Sequence, residues 1–262
     1  MFAAALDRLD ALGAYVLGFL RAFGDALYLF SNACAGLFQL SGGKGFYLRQ
    51  TVVQQLYFTA VQAFWLVMLV GLAMGVMAVL PLLAFGVGSV DLQAKILKVV
   101  VFHQLIPFLV SMIVIGRSGT AVTAELGHMQ ANAVIDSLLA MGIEPHRFLV
   151  LPRMIALTTS VLLLTLWGNC GAVFGGALFN HLQGAAGFGN FVEACVKMVT
   201  TDDVLITAMM SSSHGVAIAL VTSYFGLKSR STVDVQRHLS PAFVSAFMAC
   251  TAITALFSLI RT

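Results

Sequence analysis

Residues 116–141, "GRSGTAVTAELGHMQANAVIDSLLAM", carry Arg117, Glu125 and Asp136, yet they lie between two long runs without Asp, Glu, Lys or Arg, at 99–116 and 154–192. Within the stretch, Ala131, Val134, Ile135, Leu138 and Leu139 fall at the i, i+3, i+4, i+7, i+8 spacing of a short amphipathic helix. Gly142 and Pro145 follow, the residue types that stop a helix. Such a helix suits a membrane rim, lying under the lipid and offering its polar side to something else.

The rest of the chain requires a membrane. Of 262 residues, 60% are hydrophobic and 10% are charged, with a mean hydropathy of +0.95. A soluble domain carries about 25% charged residues, so this chain is solvated by lipid. A net charge of +3 is too small to argue for nucleic acid. Cys34, Cys170, Cys195 and Cys250 are scattered without a CxxC or a metal-ligand spacing, and the three in or beside apolar segments read as small buried hydrophobes. No metal site is expected. Asp7, Arg8 and Asp10 interrupt the first apolar residues, so no signal peptide is expected.

Runs free of fixed charge mark candidate spans at 50–90, 99–116, 154–192, 204–227 and 239–260. A crossing takes about 20 apolar residues, which gives five. Pro81 and the glycines beyond it leave too little for a second crossing in the first run, and "GAAGFG" at 184–189 reads as a loop. With the N-terminus cytoplasmic, the inner segments hold ten Lys/Arg (Arg8, Arg21, Lys44, Arg49, Arg117, Arg147, Arg153, Lys228, Arg230, Arg237), and the outer ones four (Lys95, Lys98, Lys197, Arg261). The excess of inner positive charge puts the N-terminus in the cytoplasm and the C-terminus outside. Before the first span, Leu9, Leu12, Val16, Leu20, Phe23, Leu27 and Phe30 form a one-sided stripe backed by Asp7, Asp10, Arg21 and Asp25. That pattern describes a helix lying in the membrane interface, followed by a linker to residue 45. No GxxxxGK[ST] occurs, so ATP chemistry must come from another chain.

The stretch "GRSGTAVTAELGHMQANAVIDSLLAMGIEPHRFLVLPRMIA" resembles the signature of the MlaE/YrbE permeases, the membrane subunits of MCE-type ABC lipid transporters. The likeness lies in Gly116-Arg117, Gly119, Ala124-Glu125-Leu126-Gly127, Met129, Ile135-Asp136, Met141-Gly142, Pro145 and Pro152-Arg153. It implies a single permease domain over 1–262, with its transmembrane region at 50–262, in the cell inner membrane. It further implies a second copy of the chain, a cytoplasmic MlaF-like ABC ATPase holding ATP and Mg, an outer MlaD-like MCE-domain protein, a small STAS-type subunit and a phospholipid substrate. On this resemblance the helix around 128–141 is a coupling helix seated in the ATPase. The ATPase-coupling residues are then Glu125, Gly127, His128, Met129, Asp136, Leu139, Gly142 and Pro145. The work implied is the upkeep of outer-membrane lipid asymmetry, with no catalysis in this chain.

Many such permeases carry a charged Arg-Glu pair ahead of Leu-Gly-Pro where this chain has His103-Gln104-Leu105-Ile106-Pro107. Polar groups within a span mark a pathway or bond to neighbouring helices, and both readings of His103, Gln104 and Pro107 stay open. Met74 and Met77 are candidates for lining a variable acyl chain or for plain packing. Gly116, Arg117 and Gly119 belong to a small-residue segment suited to close helix contact. Ser211–Gly215, with His214, reads as a cavity lining or as interhelical hydrogen bonding. His181, Glu193, Asp202 and Asp203 read as outer-loop residues. Two other functions compete. "GRSG" at 116–119 matches the GxSG motif of intramembrane serine proteases, with His214 as a conceivable base for Ser118. The other is a membrane scaffold that transports nothing.

Overall fold

The computed structural model describes residues 45–86, 89–142 and 145–260. The interfacial helix expected before the first span lies outside them. Every element among the described residues is helical. In chain order these are α1 (Gln50–Ala84), α2 (Val90–Ala131), α3 (Val134–Ala140), α4 (Phe148–Leu182), α5 (Phe188–Met198), α6 (Thr201–Leu227) and α7 (Thr232–Leu259). Five of them, α1, α2, α4, α6 and α7, are long and apolar enough to cross a membrane. The chain is an all-α, multi-pass membrane protein.

α4 is the centre of the bundle, with 67% of its most apolar window buried against 22% in α1 and 17% in α7. α1 lies along one side of α4, and α6 along another. The α1–α4 seam is made of glycine. A Cβ placed on Gly71 would fall 2.4 Å from the Gly168 carbonyl oxygen, and one on Gly75 would fall 2.0 Å from that of Ala172. Small residues let backbones approach this closely, and van der Waals contact then holds helices together in lipid. The α6 side repeats the device, since a Cβ placed on Gly215 would fall 2.4 Å from the Thr158 Cα. α7 packs on α6 and α2, and α2 touches α1, α4, α6 and α7.

Two boundaries differ from the sequence expectation. The second span does not stop at residue 116. α2 runs on to Ala131, so the first half of the charged stretch continues a crossing helix and only Val134–Ala140 forms the separate short one. α2 also contains π-helical stretches at Leu97–Leu105 and Ile115–Gly119. The first precedes Pro107, which has no N–H to give, and its wider turn takes up the mismatch, with the Ile106 N–H reaching the Val101 carbonyl. The third apolar run breaks at Gly184 (φ 67°), within the loop expected at 184–189, and the amphipathic α5 follows α4. α5 buries Phe191 and Cys195 against the start of α2 and against α4. Finally, Asp202 and Asp203 lie in the first turn of α6 rather than in a loop. Thr200 caps that helix, and its N–H donates to Asp203 Oδ2 at 2.9 Å.

Candidate functional site

The short helix α3 is presented at one end of the bundle. Ala133 reverses the chain after α2 in the left-handed region, at φ 56° and ψ 18°, a costly conformation for a residue with a Cβ. Gly142, at φ 73°, closes the other end with its N–H bonded to the Leu139 carbonyl at 2.9 Å. Ile135 is buried and Leu138 packs against the core. Val134, Leu139 and Met141 are 42%, 55% and 66% exposed, and Asp136 is exposed beside them. The exposed residues of α3 and its C-cap are therefore mixed, Val134, Leu139 and Met141 beside Asp136 and Ser137, rather than wholly polar as the periodicity suggests.

Side chains fasten this end to the crossing helices. Arg153, on the first turns of α4, is buried. Its Nη2 lies 2.8 Å from Glu125 Oε1, and its Nη1 donates to the Leu149 carbonyl at 2.8 Å. Arg117 Nη2 donates to Gln62 Oε1 of α1, and the Arg117 guanidinium sits 5.3 Å from the centre of the Phe58 ring. Gly127 faces α7, where an added Cβ would meet Val235 Cγ2 at 2.8 Å. Gly119 faces α6, where an added Cβ would meet Thr222 Cγ2 at 3.0 Å, whereas one on Gly116 would meet only Phe243 at an ordinary 3.7 Å. Among the residues expected to couple to an ATPase, His128, Asp136, Leu139 and Gly142 are exposed on the rim, and Glu125 is exposed but engaged with Arg153. Met129 is half-buried, and Gly127 and Pro145 are buried.

The opposite end holds a second polar group. Asp203 accepts from Lys98 Nζ at 2.6 Å through Oδ2 and faces His103 Nε2 at 3.2 Å through Oδ1. Lys98 also donates to the Met198 carbonyl at 2.8 Å, tying the start of α2 to the end of α5. Lys98 and Asp203 are thus partners within the fold, not solvated loop charges. Gln104, next along α2, points elsewhere and donates to Ser258 Oγ of α7 at 3.1 Å. Pro107 is buried, and its carbonyl accepts the Ser111 hydroxyl at 2.7 Å. His103, Gln104 and Pro107 therefore share one helix but face different neighbours. Met74 and Met77 sit on α1, Met74 against the core and Met77 outward.

Between the ends, His214 joins three helices. Its Nδ1 lies 2.9 Å from Ser111 Oγ of α2, and its Nε2 lies 3.1 Å from Thr254 Oγ1 of α7. Both ring nitrogens are spent on hydroxyls, and the ring is fully buried. Ser118 is buried too, and its Oγ has no hydrogen-bond partner among the described residues. Among the described residues His214 therefore meets Ser111 and Thr254 rather than the serine of the GxSG motif, and serves as a crosspiece. Ser211 and Ser213 bond back to the carbonyls of Thr207 and Met209, at 2.7 and 2.8 Å, the usual refuge of a hydroxyl within a helix.

On α5, Glu193 and Lys197 form an exposed i,i+4 pair at 2.7 Å. The Lys197 ammonium holds the Glu193 carboxyl below its usual range, and the carboxylate raises Lys197 in turn. Burial pushes the Cys195 thiol up to about 11, so it stays protonated and behaves as a small hydrophobe. His181 lies on the last turn of α4 and is exposed. The pair that sequence reading passed over is Glu125–Arg153. Opposite charges at the facing ends of two adjacent crossings were its only signal.

The family profile described as Permease MlaE matches residues 52–260. The chain is 31% identical over 178 residues to the intermembrane phospholipid transport system permease protein MlaE of Haemophilus influenzae, a stretch covering 66% of this chain and 65% of that protein. It is 27% identical over 127 residues to a probable ABC transporter permease protein of Rickettsia typhi, covering 48% of this chain and 49% of the relative. The chloroplastic protein trigalactosyldiacylglycerol 1 of Arabidopsis thaliana is 26% identical over 125 residues, covering 48% and 36%. The matched stretches span less than two thirds of the length of each of these relatives.

Proposed function

This chain belongs to the MlaE permease family, and from that premise we propose that it is the membrane subunit of an ABC transporter that moves phospholipid between the inner membrane and an outer MCE-domain partner. Two copies form the permease. A separate cytoplasmic ATPase, holding ATP and Mg, does the work, and a small STAS-type subunit accompanies it. The N-terminus is cytoplasmic and the C-terminus periplasmic. Closure of the ATPase pushes the rim at α3, the crossing helices shift, and the cavity between the first, second and fifth spans of the two copies is squeezed.

The observation that carries this proposal is the rim helix. α3 is anchored by Ile135 and Leu138 but turns Val134, Asp136, Leu139 and Met141 away from the bundle. A transporter subunit whose sequence holds no GxxxxGK[ST] needs such a handle. Further support comes from α2, which touches both α1 and α7 and leaves Val100, Gln104 and Leu105 exposed. The phospholipid is taken from the name of the Haemophilus relative.

Affinity purification in mild detergent, followed by mass spectrometry of bound proteins and lipids, tests the proposal. A nucleotide-hydrolysing chain, bound phospholipid and lipid-dependent ATP hydrolysis are expected. A preparation with no lipid and no lipid response would instead describe a scaffold. For the protease alternative, Ser118→Ala should leave lipid transport largely intact. The change removes a buried hydroxyl without a partner, so a stability change within about 0.5 kcal/mol is expected.

A further inference from the structure

We infer that the Glu125–Arg153 ion pair is the strut that carries movement of the rim helix into the bundle, with Arg153 a positioning residue that ties the inner end of α2 to the foot of α4. The inference rests on the transporter proposal above and gives its coupling a path.

The two partners differ in a telling way. The Arg153 side chain is 4% exposed and that of Glu125 is 50% exposed. Arg153 is fixed to its own helix by the bond to the Leu149 carbonyl, so it moves with α4. Glu125 rides on the last turns of α2, whose end at Ala131 is separated from α3 only by Asn132 and Ala133. Since Ile135 is buried, α3 cannot be displaced without pulling on that end. Glu125 must then carry Arg153 with it or leave a guanidinium buried without its counter-ion, and an unpaired buried charge is strongly unfavourable.

What Arg153 pulls on matters as much. α4 is the most buried crossing helix, and α1 is seated on it backbone to backbone. A shift at the foot of α4 therefore reaches α1, α2 and α6 together. The other contacts at this end are of a different kind. Gly127 against Val235 is an apolar touch, and Thr123 Oγ1 donates to the Thr222 carbonyl at 3.1 Å. An apolar contact slides, whereas a charge-assisted bond has direction. The inference also changes the place of Glu125, which acts through Arg153 within this chain rather than by touching the ATPase.

The test uses the permease purified with its ATPase and outer partner and reconstituted in vesicles of phosphatidylethanolamine and phosphatidylglycerol. The quantity read is labelled phospholipid moved per ATP hydrolysed, in wild type, Glu125→Gln, Arg153→Lys and the double variant. Glu125→Gln keeps the shape of a half-exposed side chain, and Arg153→Lys keeps the charge but cannot hold both Glu125 and the Leu149 carbonyl. Each single change is expected to lower the ratio about five-fold, the low end of a site-to-site coupling. The double should lose no more than the worse single, because the two act as one unit. Losses that multiply in the double, or an unchanged ratio in Glu125→Gln, overturn the inference. So does release of the ATPase by Glu125→Gln, since Glu125 would then be a docking residue. A wild-type complex that moves no lipid at all defeats the transporter proposal itself and takes this one with it.

Discussion

Gly75→Leu should leave no folded protein in the membrane. The position of its Cβ lies 2.0 Å from the Ala172 carbonyl oxygen and 2.8 Å from both the Ala172 carbonyl carbon and the Gly176 nitrogen. These are backbone atoms of α4, and no rotamer change moves them. The contact is reciprocal, since a Cβ on Gly175 would fall 2.2 Å from the Leu72 carbonyl oxygen. Adding a side chain forces α1 and α4 apart along the seam and loses the close packing that holds helices together in lipid. Ordinary overpacking costs about 1–3 kcal/mol, and a backbone-to-backbone contact belongs at the upper end or beyond. Even Gly75→Ala should lower the melting temperature clearly. Gly189→Ala is the matching control, with nothing within 4 Å of its Cβ position, and should stay within about 0.5 kcal/mol of wild type. Thermal unfolding in detergent and the monodisperse fraction on gel filtration read both.

The second large effect is on assembly rather than folding. Leu139→Arg should melt like wild type yet lose its ATPase. Leu139 is 55% exposed on α3, and the anchoring of that helix comes from Ile135 and Leu138. The change therefore costs the isolated chain little. In a complex the same side chain would sit in the seat of the rim helix, where a buried apolar anchor is typically worth about 2 kcal/mol or more. A drop of about 30-fold in affinity for the ATPase is expected, with loss of lipid-stimulated hydrolysis. Titration of purified ATPase against permease in nanodiscs measures it. Unchanged affinity would mean that another part of the chain makes the contact.

How far each of these features shows in the sequence follows from what fixes it. The crossings are legible because lipid demands long apolar runs, and such runs need no partner to be recognised. The end of α2 is not. Arg117 and Glu125 break the run at residue 116, but the helix continues because Gln62, Phe58 and Arg153 meet those charges from other helices. A scan along one strand of sequence sees the charge and not its partner. The same holds for Asp203, whose carboxylate reads as a solvated loop residue until Lys98 and the Thr200 cap are in place, although Thr200-x-x-Asp203 is itself a start signal for a helix. Gly71-x-x-x-Gly75 and Gly171-x-x-x-Gly175 are visible as small-residue motifs, but that they pair with each other is decided only by the packing of the bundle. At the rim, periodicity locates α3 and Gly142 locates its stop. The left-handed turn at Ala133 carries no sequence signal, since alanine has no preference for it.

The most direct measurement of the central claim, that this chain is worked from the cytoplasm through its rim helix, is photo-crosslinking in intact membranes from a photoactivatable residue placed at position 139. The account predicts one dominant adduct with a nucleotide-hydrolysing chain, formed from the cytoplasmic face. An adduct only with lipid or with no chain at all would contradict it, as would labelling of a cysteine at position 139 by a membrane-impermeant reagent added from the outer side.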